Sequence, residues 1–355
     1  MKDELNLKEA LRRDTLTDEE TARLWQRVDP ANVAARRRKR RRALVLSLSA
    51  VAAAACVVGV LFLTRTMASG PKPDAILAFV QQVDTADYSA SNTQLVLSAD
   101  QTVELTERES TVTYDSASIK LEGGKRKEVK ADEAARYNRL IVPMGKRSTL
   151  ALADGSRVWV NAGTQVIYPV TFAADRRELY VDGEIYLSVT PDKDRPFVVK
   201  TKETDIVVTG TEFNVSAYDS EAEQRVVLVR GGVEVTNRGD GKRVPSTFTL
   251  APGEMYWHDA RTEAVRAVDV ARYVSWKEGM YIFDNDRLSY ILTRLARYYG
   301  EPIRWDKAAG EQRCSGKLDL KGSLDEVLQG LTITAPIAYE HAPDHHSITI
   351  RMSNP

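Results

Sequence analysis

Apolar and polar positions divide the chain into three regimes. Ala43 to Leu63 carries no charged side chain; as a helix rising about 1.5 Å per residue it would span roughly 31 Å, enough to cross the ~30 Å hydrocarbon layer of a bilayer. From Thr93 onward the pattern changes to alternation. Leu95, Leu97, Val103, Leu105, Val112 and Tyr114 sit on period-two runs separated by polar turns, which predicts strands. After residue 272 helical spacing enters: Leu288, Ile291, Leu292 and Leu295 recur within Asp286 to Tyr299, and Gly300 closes the segment.

Each regime has its own internal grammar. In the alternating region, the stretch from Leu95 resembles the stretch from Leu150: Leu97 and Val103 share the spacing of Leu152 and Val158, and the copies close on Tyr114 and Tyr168. Such units predict stacked strand-turn-strand repeats, a solenoid-like or sandwich architecture. Asp154-Gly155, Asp182-Gly183 and Gly231-Gly232 are expected turns, while Pro169 and Pro196 interrupt strand runs. The last 83 residues predict two β-α-β units: a strand Trp276–Phe283, the helix 286–299 and a strand 302–305; then a strand 316–320, a helix 324–331 capped by Ser323 and Glu326, and strands 337–339 and 347–351.

Charge assigns sides to the membrane span. Formal net charge is zero over 355 residues, yet Arg36, Arg37, Arg38, Lys39, Arg40, Arg41 and Arg42 form an unbroken basic run directly before the apolar segment. Such a run is retained in the cytoplasm, so the amino terminus faces inward; abutting an apolar span, it reads as a topology signal rather than a nucleic-acid patch, and no direct nucleic-acid contact is expected. The apolar core begins too late for a cleaved signal peptide. Before it, two short amphipathic helices are predicted, one carrying Leu7, Ala10 and Leu11, the other opening at Thr17 to Glu20 and carrying Leu24, Trp25 and Val28 before Pro30. About 35 residues bury too little to stand alone, so this segment is expected to fold upon a partner, with a solvated tail as the alternative.

Few residues invite chemistry. Asp154, Asp182 and Glu184 each adjoin a turn glycine, which accounts for them without acid–base work. His341, His345 and His346 lie near the chain end without metal-ligand spacing, and Cys56 and Cys314 are too far apart in the layout to bridge; no cofactor, metal or disulfide is expected.

The series VPMGKRSTLALADGSRVWVNAGTQVIYPVTF (142–172), ELYVDGEIYLSV (178–189), RPFVVKT (195–201), VVTGTEFNVSAY (207–218) and LAPGE (250–254) resembles the FecR family of bacterial anti-sigma factors and sigma regulators. The resemblance implies a cytoplasmic part that binds an extracytoplasmic-function sigma factor, here through Leu7, Leu11, Leu24, Trp25 and Val28. It also implies a periplasmic part that senses the signalling domain of a TonB-dependent outer-membrane transporter, with regulatory proteases acting on the chain. Some relatives self-cleave at a Gly-Thr bond matched by Gly210-Thr211, by attack of the threonine hydroxyl on the preceding carbonyl; a glycine turn leading into a strand is the plainer reading and the one favoured. The carboxy-terminal unit resembles the secretin and TonB short N-terminal fold. The family's cytoplasmic segment is often longer than this one, and its GEAYF-like motif reads GEIYL here, at 183–187.

The expectation is therefore a multi-domain inner-membrane protein: a cytoplasmic α segment 1–42, one transmembrane helix 43–63, a linker and short helix 64–92, a periplasmic all-β domain 93–272 and a small α+β domain 273–355. A sigma regulator is the leading function; a membrane-anchored periplasmic enzyme or an envelope-binding β module are the alternatives.

Overall fold

The computed structural model describes residues 18–19, 22–23, 74–98, 101–114, 118–123, 127–129, 136–239, 244–343 and 347–353. Met1–Pro73 and Asp74–Pro355 are separate units; in the first, Asp18, Glu19, Ala22 and Arg23 are helical and exposed. The expected span 43–63 lies outside the described residues, among which no helix is long and apolar enough to cross a membrane.

The second unit opens with the helix Ala75–Val80, capped by Asp74, whose carboxylate accepts from the Leu77 amide. It is the short helix expected within 64–92, and it ends where the following turn tightens to a three-residue hydrogen bond from the Gln82 amide to the Phe79 carbonyl. Ile76 anchors it against Tyr137, Ile167 and Tyr180.

Among the described residues, eighteen strands between Thr93 and Ala267 then build two facing sheets. One runs 101–105, 93–98, 137–142, 164–169, the first half of 177–188, 197–200, 204–208, 233–237 and 246–250. The other runs 127–129, 119–122, 109–114, 147–151, 157–160, the second half of 177–188, 212–217, 223–230, 254–259 and 263–267. Alternation delivers one side chain in two to the space between them, and Leu95, Val112, Leu150, Leu179, Ile185, Phe213 and Leu228 share a single core.

The internal repeat is real in outline but is not a stack of equivalent rungs. Its first copy begins in one sheet, where Leu95 pairs with Val103, and ends in the other at Tyr114; the second begins in that other sheet, where Leu150 pairs with Val158, and ends in the first at Tyr168. The copies exchange sheets, so their closing tyrosines meet with hydroxyls 3.0 Å apart and rings at 88°.

The two sheets share the strand Arg177–Ser188. Arg177 to Asp182 pair within the first sheet and Gly183 to Ser188 within the second. Asp182-Gly183 is thus a mid-strand crossing rather than the expected turn. Gly183 has φ 131°, and a Cβ there would lie 2.3 Å from the Thr164 hydroxyl, inside the core. That hydroxyl accepts the Glu184 amide at 3.0 Å, replacing a ladder bond where the strand changes sheets.

The carboxy-terminal unit has its own core, which includes Phe283, Leu292, Leu295, Leu328, Leu331 and Ile350. The helix Leu288–Tyr299 ends on left-handed Gly300, and Leu324–Thr334 begins with a complete Ser323–Glu326 capping box. Its strands do not form two β-α-β crossovers. The first strands of the two halves, Met280–Arg287 and Arg313–Asp319, pair with each other antiparallel, while Ile303–Trp305, Ile348–Met352 and Ile337–His341 make a separate sheet. Trp276 falls in a 3₁₀ turn, Ser275–Glu278, ahead of the strand expected to contain it, and a short helix, Lys307–Glu311, adds to the expected elements.

Gly183→Ala should cost about 3 kcal/mol, since strain at a positive φ adds to a clash with a buried β-branched side chain. Urea unfolding checks it; a loss under about 1 kcal/mol would mean the crossing tolerates a Cβ.

Candidate functional site

The outward face of the second sheet carries Glu184 and Asn214 on neighbouring strands, with Asn161 just past the strand Arg157–Val160. The helix Leu288–Tyr299 turns its polar stripe onto this face. Glu184 is 2 % exposed, and four hydrogen bonds converge on it. Asn161 donates at 2.8 Å, Asn214 at 3.2 Å, and Arg294 reaches both carboxylate oxygens at 2.9 and 3.1 Å. Trp276 donates its indole N–H to the Asn214 side-chain oxygen at 3.0 Å. Burial works against the charge of Arg294, but Glu184 together with Tyr290, Tyr281 and Glu221 outweighs it and holds the guanidinium above its ordinary pKa range.

Around this pair the two cores are joined by further contacts. Arg297 pairs with Glu221 at 2.7 Å and lies 3.6 Å above the Tyr218 ring, and its carbonyl accepts the Gly145 amide at 2.9 Å. Arg147 sits 4.0 Å over the Tyr298 ring. Arg225 and Arg294 both donate to the Tyr290 hydroxyl, at 3.1 and 2.8 Å. Buried charges with this many partners cannot slide without exposing an unpaired group, so the joint favours one register between the two cores.

The carboxylates beside turn glycines have distinct roles. Asp154 does hold its turn, accepting from Ser156, but it also pairs at 2.7 Å with Arg177, a guanidinium 1 % exposed. Asp182 accepts from the Tyr88 hydroxyl at 2.7 Å and the Asp219 amide at 2.9 Å, and burial raises its pKa. Glu184, expected to be explained by turn chemistry, is the centre of the joint. The available signal was the pair of amide side chains, Asn161 and Asn214, set among apolar strand residues where a buried amide requires a partner.

Gly210-Thr211 precedes the strand Glu212–Ala217. Gly210 has φ 151°, and a Cβ there would meet Pro191 at 2.8 Å. Thr211 is 3 % exposed; its hydroxyl donates to the Gly232 carbonyl at 2.9 Å and accepts from the Gly232 amide at 3.4 Å. Both bonds tie the Gly210 turn to the Gly231-Gly232 turn. A groove of about 340 Å³ lined by Gly210, Pro191, Trp159 and Arg157 opens beside it.

Leu7, Leu11, Leu24, Trp25 and Val28 lie outside the described residues, as do Arg36 to Arg42, His345 and His346. His341 contacts Asp325 at 2.8 Å, and among the described residues no group of His, Cys, Asp and Glu is arranged to hold a metal. Cys314 is buried, which pushes its thiol pKa up.

Glu184→Gln should destabilise by about 3–5 kcal/mol because it strands the Arg294 charge, whereas Glu184→Leu combined with Arg294→Met should recover most of that loss; chemical unfolding of both variants checks the comparison. Asp182 supplies a pH test. A carboxyl with a raised folded-state pKa holds its proton better folded than unfolded, so its contribution to stability falls as pH rises above the ordinary 3.8. Asp182→Asn should therefore gain stability relative to the parent as pH climbs from 4 to 6. A constant difference across that window would exclude Asp182 as the titrating group.

Comparison with known proteins follows the same division. A profile of the family described as "FecR protein" matches residues 138–234, and one described as "FecR, C-terminal" matches residues 280–350. Two crystal structures of a proposed anti-sigma factor from Parabacteroides distasonis each align at 27 % identity and a TM-score of 0.55. They cover 61 % of this chain and 100 % or 99 % of the neighbour. No curated protein matches. Both segments match in order, the first within the β domain and the second within the carboxy-terminal unit, so the chain is similar to FecR proteins along both halves of the joint.

Proposed function

We propose that the chain is an anti-sigma factor or sigma regulator that spans the inner membrane once, with residues 1–42 in the cytoplasm and 64–355 in the periplasm. In this reading Leu7, Leu11, Leu24, Trp25 and Val28 bind an extracytoplasmic-function sigma factor. The outer unit senses the signalling domain of a TonB-dependent outer-membrane transporter and so controls transcription of uptake genes, for an iron chelate or a glycan. Regulatory proteases cut the chain outside and then within the membrane, where Gly59 makes the helix easier to unwind. The observation that carries the reading is the likeness of both outer segments, in order, to FecR proteins and to proposed anti-sigma factors.

The joint suits a sensor. A partner bound to either core acts on one body, because Glu184 and Arg294 leave no low-cost intermediate between joined and separated. Force or steric occlusion at the carboxy-terminal unit therefore reaches the β sheets, and through them the chain that leads to the membrane.

The test is capture of sigma factors by the full chain and by its Trp25→Ala variant. Recovery of an extracytoplasmic-function sigma factor by the parent, falling about tenfold in the variant, is the expected result, since a buried tryptophan anchor contributes on that scale. Recovery of none by the parent would overturn the reading.

A further inference from the structure

Beside the joint, on its solvent side, lies a cleft of about 650 Å³. One wall is the end of the last β-domain strand, Glu263–Ala267, with Val268 and Asp269; the other is the first strand of the carboxy-terminal unit, Met280–Arg287. Among the described residues each strand pairs on one side alone, with 254–259 and 313–319 respectively. Tyr281 and Ile282 both line the cleft, and so do Ala267 and Val268. Successive strand residues point to opposite faces, so both can border one space only where the strand presents its edge to it.

The floor is rich in donors, and its two arginines each hold a carboxylate already, Arg225 that of Glu223 and Arg294 that of Glu184. Arg225 and Arg294 each donate to the Tyr290 hydroxyl oxygen. Arginine has no acceptor to return, so the Tyr290 proton points elsewhere, and no described residue accepts it. Arg266 stands at the rim with the Trp257 ring beneath it at 5.8 Å and, among the described residues, no carboxylate partner. Tyr281, 6 % exposed, lines the same cleft with a hydroxyl that has no hydrogen-bond partner among the described residues. The acids at the other end are already occupied: Asp286 and Asp284 by Arg272, and Asp269 by the Ala271 amide.

We propose that this cleft receives an extended, acidic segment of a partner polypeptide. A carboxylate seats on the Tyr290 hydroxyl between Arg225 and Arg294, Arg266 screens it from the rim, and the segment's backbone runs along the edge of 280–283, short of Asp284, whose carbonyl accepts from Arg272. Donors left without an acceptor among the described residues, the Tyr290 and Tyr281 hydroxyls and the Arg266 guanidinium, select the acid, and the strand edges select an extended backbone over a small free anion. The proposal deepens the relay reading by giving the chemistry of the periplasmic partner, and it rests on that reading only for where the partner resides.

The probe is an array of immobilised nonapeptides with randomised flanks and a fixed central residue, overlaid with the full chain in detergent. Peptides with central Asp or Glu should retain about tenfold more protein than those with Gln or Lys, the scale of one charge-assisted hydrogen bond. Arg266→Gln and Tyr290→Phe should cut that preference to under about threefold, and Arg266→Gln, an exposed position, should leave the unfolding midpoint unchanged. No preference for a central acid, or a preference that survives both substitutions, overturns the proposal. So does undiminished retention when proline flanks the acid on both sides, which would reveal an anion site that ignores backbone. Sigma capture by the amino-terminal segment is read separately, so either reading can fail while the other stands.

Discussion

The unit from Asp74 to Pro355 depends on one buried carboxylate. Glu184 leaves water entirely, and Asn161, Asn214 and Arg294 supply what water would have supplied. Two of those partners come from the β domain and one from the carboxy-terminal helix. The ion pair is therefore completed only when the two cores are docked in register. A hydrophobic joint of similar area would slip by small steps at small cost; a desolvated charge pair does not.

That carboxylate is held in place by a backbone device one residue away. Gly183 lets the strand 177–188 leave one sheet and enter the other, so that Asp182 faces the amino-terminal helix side, beside Tyr88, while Glu184 faces the carboxy-terminal unit. A single strand thus carries contacts to both ends of the unit. The neighbouring cleft inherits its character from the same arrangement, because Arg294 binds Glu184 through one nitrogen and Tyr290 through the other. Joint and cleft share a guanidinium.

Local pattern made much of the fold legible. Alternation placed Leu95, Val112, Leu150 and their neighbours in one core, and helical spacing with caps marked Leu288–Tyr299 and Leu324–Thr334. The misreadings share a cause. Asp-Gly at 182–183 has turn composition, yet here the glycine serves a sheet crossing; both uses need the same backbone freedom, so composition cannot separate them. The exchange of sheets between the repeats is equally silent, since stacked and exchanged copies have identical alternation. Glu184 looked like part of a turn because its partner, Arg294, is 110 residues away and lies on a helix whose polar face could as well have met solvent.

What the sequence by itself determined is everything set by nearest neighbours along the chain: periodicity, caps, the charge-flanked apolar stretch, and the ordered motifs that carry the family resemblance. What only the tertiary structure decided is which periodic segments meet. Strand pairing between 280–287 and 313–319, the sheet change at Gly183 and the seating of Arg294 on Glu184 are contacts between distant segments. Their energy comes from desolvation and partner geometry, and neither exists until the segments have been brought together.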